Sequence, residues 1–246
     1  MRLGILGGGR AAWAYGSAWL RIEWPLAGVW LRKESKSRLP ELLNAPRRTI
    51  EELARDSEVL LIAVSDRAIV EVSERIPESE AIIFHASGAH RSLRGGFSLH
   101  PLKALRPVGE PSDLEGALLV FEGNHQKTAR LIARAVGARF AEVSAAQKPL
   151  YHAGAVFGAN YVAAMLDIAQ TLIKRAGVGE AREDLVSLAL SALENWKQHD
   201  DARRFTGPAI RGDSETVARH IAALADDPQV QQIYKLLADL ILATRE

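Results

Sequence analysis

Apolar residues follow two rhythms along the chain. In the N-terminal part, short unbroken apolar runs alternate with stretches of helical period. Leu3–Leu6, Ala27–Leu31, Val59–Val64, Ala81–His85, Leu118–Glu122 and Arg139–Val143 predict strands, and Trp13–Arg21, Thr49–Asp56, Ala68–Arg75 and Gln126–Val136 predict helices. Thr49 followed by Glu52 is a capping box, which marks a helix start. A run such as Val59–Val64 has no polar face, as expected of a strand covered on both sides in a parallel sheet. From Lys148 onward only the helical rhythm remains. Tyr151–Ala176 predicts one long helix, followed by Asp184–Trp196, Ser214–Ala225 behind an Asp213 N-cap, and Gln229–Ala243 after Pro228. The fold class predicted is α/β with a doubly wound, mainly parallel sheet over residues 1–145, followed by an all-α domain over residues 146–246.

The first strand runs directly into Gly7-x-Gly9-x-x-Ala12 and then a helix. This order is what a dinucleotide-binding Rossmann unit requires. Gly7 allows the tight turn, Gly9 leaves room for a pyrophosphate, and Ala12 lets helix and strand pack closely. The backbone N–H groups of Arg10, Ala11 and Ala12 then face the phosphates at the positive end of the helix dipole. The alternative is a glycine turn that binds nothing. About twenty residues further on, where an acid would select NAD, stand Arg32 and Lys33, with Lys36 and Arg38 close behind. A cationic loop suits the 2′-phosphate of NADP, so NADP is expected over NAD, although Glu34 keeps the acid reading open.

Charge and composition narrow the picture further. A net charge of +1 gives no field that would favour nucleic acid or an anionic membrane. The absence of cysteine excludes disulfides, thiolate catalysis and cysteine–zinc sites, and suits a cytoplasmic location. No apolar run approaches the length expected of a bilayer span. The histidines show no metal-ligand spacing, and neither a P-loop nor a Gly-x-Ser-x-Gly elbow is present.

Four segments together carry a family resemblance: Gly7–Ala12, Ser98-Leu-His100-Pro-Leu102, Lys148-Pro-Leu-Tyr151-His152…Asn160-Tyr161, and Thr206-Gly-Pro-Ala-Ile-Arg211-Gly-Asp213. The chain resembles a family of bacterial proteins with an N-terminal Rossmann-like domain and a C-terminal helical domain of unknown function (2520). More distantly it is similar to pyrroline-5-carboxylate reductase, ketopantoate reductase and 3-hydroxyisobutyrate dehydrogenase. That likeness implies NADP or NAD, hydride transfer to a small-molecule C=N or C=O, and homodimers built on the helical domain. In the last two families a Lys and an Asn on the interdomain helix polarise the carbonyl. Lys148 matches the Lys, while His152 stands where the Asn would be.

Candidate chemistry gathers beyond the carboxyl ends of the strands, where ligands bind in open α/β sheets. Ser65, Asp66, Ser87 and Gly88 are expected near the cofactor, though Ser65 and Asp66 also read as a helix cap. His100, in an extended loop ahead of Pro101, reads either as a proton donor or as a buried histidine bonded to backbone. Lys148 and His152 lie four apart and share a helix face, with a solvated helix end as the alternative. Asn160 adds an amide two turns on, and Tyr151 is expected to point elsewhere. Thr206, Gly207 and Arg211 form a turn able to hold a substrate carboxylate, or a plain interhelical loop with Arg211 paired to Asp213. The expected function is an NADP-dependent oxidoreductase. The alternatives are an NADP-binding sensor without turnover and a helical assembly module with a vestigial nucleotide fold.

Overall fold

The computed structural model describes residues 1–245 and divides into two compact units, Met1–Ala159 and the residues from Asn160 onward. In the first unit, β1 (Leu3–Leu6), α1 (Arg10–Arg21), β2 (Leu26–Trp30), α2 (Leu39–Leu42), α3 (Ile50–Asp56), β3 (Val59–Ile62), α4 (Ile69–Glu74), β4 (Ile82–His85), β5 (Phe97–Leu102), β6 (Leu118–Gly123), α5 (Gln126–Ala135), β7 (Arg139–Glu142) and α6 (Lys148–Val156) follow in order. The strands form one sheet in the order β2-β1-β3-β4-β5-β6-β7. The first five run parallel, while β6 turns antiparallel to β5 and carries β7 with it. The chain leaves β1 for β2 on one side and returns to β3 on the other. This reversal opens a crevice at the carboxyl ends of β1 and β3.

Two apolar clusters bury the sheet. One holds Tyr15, Trp19, Phe84, Phe97 and Leu99; the other holds Leu6, Ile50, Leu60, Ile62, Ile69 and Val72. Phe84 and Phe97 stack at 4.8 Å, and the Tyr15 hydroxyl donates to the Leu99 carbonyl at 2.6 Å, so α1 is bound to the sheet by packing and by a buried polar bond. Thr49 and Glu52 form the expected capping box.

Three expectations need correction. The segment holding His100 and Pro101 is strand β5, not a loop. β4 pairs only with Phe97 and Ser98, so at Pro101 the strand has β6 alone as neighbour and the missing N–H is tolerated. The long helix expected over Tyr151–Ala176 begins at Lys148 and is interrupted by a π-helical segment, Phe157–Tyr161, before α7 (Val162–Arg175). The stretch Lys148–Arg175 also contains an 18-residue window of mean hydropathy 1.3, enough to cross a bilayer by length and composition alone, against the expectation of no such run.

The second unit continues with α7, α8 (Arg182–Gln198), α9 (Pro208–Arg211), α10 (Ser214–Ala223) and α11 (Pro228–Leu242). Asp213 caps α10 through the Thr216 N–H, as expected. Among its described residues, only Ala181, Leu185 and Leu224 are buried apolar side chains.

Candidate functional site

A cleft of about 500 Å³ opens where the sheet topology reverses. It is lined by Gly7, Gly8, Gly9, Arg10 and Ala11 after β1, by Trp30, Leu31, Arg32 and Ser35 after β2, and by Ala63, Val64 and Ser65 after β3. Gly7 has φ +128, and a Cβ there would collide with the Ala63 carbonyl, so only glycine makes this turn. A Cβ on Gly9 would meet no protein atom within 4 Å and would project into open space. α1 begins with no side-chain cap and no acid in its first turn, leaving its first N–H groups and dipole for an outside acceptor. Ala12 is fully buried behind the turn. Ser37 secures the turn from the next loop by donating to the Gly8 carbonyl at 2.7 Å. Arg32 lies at the rim, with only an exposed contact to Glu71 at 3.7 Å. Lys33 and Asp66 are exposed and do not line the cleft. The residues present therefore fit a dinucleotide phosphate: a bare glycine turn, an uncapped helix start and a nearby cation.

A second group of side chains gathers on β4, β5, β6 and the first turns of α6. Lys148, only 1% exposed, donates to the Ser98 hydroxyl and lies 3.5 Å from Glu122 Oε2. Glu122 also accepts from the Ser92 N–H at 2.7 Å, from the Ser92 hydroxyl at 2.9 Å and from the Ser98 hydroxyl at 3.3 Å. Burial pushes the Glu122 carboxyl up, but the bonds from Ser92 and the Lys148 charge outweigh it and hold the group below its ordinary value. Burial lowers the Lys148 ammonium against the pull of Glu122. Lys148 is thus an internal pin that fixes the start of α6 to the sheet.

Two histidines face each other above this pin. His100 Nδ1 lies 2.5 Å from the Tyr151 hydroxyl, and its ring meets His152 edge-on at 5.7 Å between centroids. Tyr151, expected to point elsewhere, is therefore part of the site. The nearest atoms to a Cβ built on Gly88 would be His152 Nδ1 and His100 Nε2, so the absence of a side chain at Gly88 makes room for both rings. His152 Nδ1 is buried without a hydrogen-bond partner. Below, His85 accepts from the Ser87 N–H at 3.2 Å and bonds the Arg91 carbonyl at 2.9 Å, while the Ser87 hydroxyl oxygen accepts from the N–H groups of Ala89 and His90. Ser87 and His85 thereby fix the turn that presents Gly88. Burial pushes both His85 and His100 down to about 4.

The other sequence candidates lie in the second unit. Asn160, Thr206 and Arg211 are exposed, and Gly207 adopts φ 100 ahead of α9. Asp213 is held below its ordinary value first by its bonds to Thr216 and then by the charge of Arg211. Sequence reading missed Glu122, Ser92 and Tyr151. Glu122 sits at the end of a predicted strand, and only the pairing of β5 with β6, which sets Ser98 against Glu122, reveals its role.

The model of a family described as a domain of unknown function (DUF2520) matches residues 118–241, just over half of the chain. The chain belongs to this family. Its match begins at β6 and so includes Glu122, Lys148, Tyr151 and His152 of the site. No match is found among curated proteins. Solved structures share the fold of this DUF2520 protein. A Bacteroides fragilis protein provisionally assigned as an NADP oxidoreductase is 22% identical, with 98% of each chain covered and a TM-score of 0.82. A Thermotoga maritima protein is 20% identical, covering 98% of this chain and 97% of its own, with a TM-score of 0.77. A reductive aminase from Aspergillus terreus, in complex with NADPH and ethyl-5-oxohexanoate, is 18% identical, covering 90% of this chain and 77% of its own, with a TM-score of 0.60.

Proposed function

We propose that this protein is an NADP-dependent oxidoreductase that transfers a hydride to or from a small imine or carbonyl substrate. The observation that carries this reading is the cleft at the β1/β3 reversal, with its bare glycine turn, uncapped helix start and Arg32 at the rim. The NADP(H) named for the structural relatives from Bacteroides fragilis and Aspergillus terreus supports it. The N–H groups of Arg10, Ala11 and Ala12 hold the pyrophosphate, with Gly7 and Gly9 giving it access. Arg32 at the rim takes the 2′-phosphate, with the exposed Lys33 beside it adding positive charge from outside the cleft, and Ser65 borders the ribose. When bound, the cofactor supplies the hydride, a two-electron reductant that no side chain here provides. His100 and His152 meet the substrate heteroatom, His100 as a hydrogen-bond donor and His152 as the group that exchanges its proton. Lys148 acts as a positioning residue: its ammonium is engaged inside the protein and holds the turn that carries Tyr151 and His152.

Thermal unfolding with NADP, NADPH, NAD or NADH tests the cofactor assignment. A dinucleotide at about 100 times its Kd adds roughly 2.7 kcal/mol of stability. NADP and NADPH should each raise the melting temperature, NAD and NADH much less, and Arg32→Ala with Lys33→Ala should narrow the difference. No shift with any of the four would leave the glycine turn a purely structural feature. Binding without NADPH oxidation across keto acids and cyclic imines would favour the sensor reading.

We also propose that the protein is a homodimer through its second unit. Leu188, Leu190, Trp196 and Leu240 are each more than 60% exposed there, in a unit with three buried apolar residues. A unit with so small a core needs a permanent partner, and a second copy is always present at matching concentration. Light scattering after size exclusion should give twice the chain mass of 26.8 kDa; a monomer at micromolar concentration would sink this.

A further inference from the structure

We propose that Tyr151 fixes His100 as an uncharged hydrogen-bond donor through Nε2, so that the site takes a ligand presenting a neutral acceptor lone pair, on a carbonyl oxygen or an imine nitrogen, rather than a cationic iminium. This rests on the oxidoreductase reading for the ligand but not for the tautomer. The Tyr151 hydroxyl has one hydrogen-bond partner among the described residues, His100 Nδ1 at 2.5 Å. A hydroxyl carries a single proton. If His100 donated from Nδ1, the tyrosine proton would have no acceptor among the described residues. With the hydroxyl donating, Nδ1 accepts, and a neutral imidazole must carry its proton on Nε2.

The surroundings keep both groups in these states. Burial holds His100 at about 4, with His152 and Lys148 pushing the same way and Asp66 opposing them. Burial raises Tyr151 to about 12. Between these limits the phenol keeps its proton and the imidazole carries no charge. Nε2 points to the space over Gly88, where an added Cβ would approach it to 3.0 Å, and where His152 also arrives edge-on.

A neutral N–H donor selects for an acceptor lone pair. A carbonyl oxygen has one; an iminium nitrogen does not. A carboxylate would find no cation at this spot, because Lys148 is spent on Ser98 and Glu122. The site thus favours a neutral carbonyl or imine over its cationic iminium form. Tyr151 is a positioning residue that acts through His100.

The test is ¹⁵N NMR of the histidine side chains in the full-length protein, with His100 assigned from the signal lost in His100→Gln. The wild type should show the Nε2–H tautomer with no titration between pH 5 and 8. Tyr151→Phe should release a mixture of tautomers. An Nδ1–H tautomer, a titration within that range, or an unchanged Tyr151→Phe spectrum would overturn the assignment. This readout needs no dinucleotide, so it stands apart from a failed cofactor shift. Titrating the NADP-saturated protein with cyclohexanone should then move the His100 Nε2 signal, and an N-alkylated cyclic iminium should not. The reverse preference, or no movement with the ketone, overturns the ligand class.

Discussion

Replacing Lys148 by methionine is expected to destabilise the protein by about 3–5 kcal/mol, because it strips a buried carboxylate of its counter-charge. In a chain of this size that corresponds to a fall of roughly 6–20 °C in melting temperature. Glu122 is 5% exposed and its Oε2 accepts from the Ser98 hydroxyl, so water cannot easily replace the ammonium. Adding Glu122→Gln to Lys148→Met should recover much of the loss, since the orphaned charge is then removed as well. The pair also sets a pH dependence. The Glu122 carboxyl is held below its ordinary value of 4.5, so its stabilising contribution is complete above that value and is lost as pH falls through the lower folded-state value. Thermal melts of the single and double variants at neutral and acid pH check both points. A loss under about 1 kcal/mol, well short of the usual penalty for breaking a buried pair, would show that the pin is dispensable.

Gly88→Ala should cost turnover on the order of 100-fold, the scale expected when reacting groups are misplaced by about 1 Å. The new methyl would lie 3.0 Å from His100 Nε2 and closer still to His152 Nδ1. Neither ring can retreat freely: His100 is tied to Tyr151, and His152 shares a helix turn with the Lys148 pin. Gly88 is absent from the lining of the glycine-turn cleft, so the thermal shift with NADP should survive. NADPH oxidation and dinucleotide-induced melting shifts, measured on the same preparation, separate the two effects. Full turnover in this variant would remove the imidazole pair from the mechanism.

Much of the fold was legible because it rests on local rules. The apolar run Leu3–Leu6, the glycine turn and the helix behind it are neighbours in sequence, and the Thr49 capping box is complete within four residues. β5 was not legible. Pro101 reads as a strand breaker, and only the one-sided pairing beyond Ser98 explains why it is tolerated. The candidate site was legible in its parts but not in their roles. His100, Lys148 and His152 stood out as residue types, whereas burial and partners decide what each can do. Glu122 carried no signal of its own, because a carboxylate at a strand end looks solvated until the opposing strand supplies Ser98. The break after Val156 also escaped detection, since the π-helical segment holds no proline and its Asn160 reads as an ordinary polar position on a helix face.

The glycine-turn cleft and the imidazole cluster are built on one sheet, and every hydrogen bond and ion pair described in them lies within the first 159 residues. A substitution at Gly7, Gly88 or Glu122 therefore strikes the parts assigned here to chemistry directly, through contacts made inside a single unit.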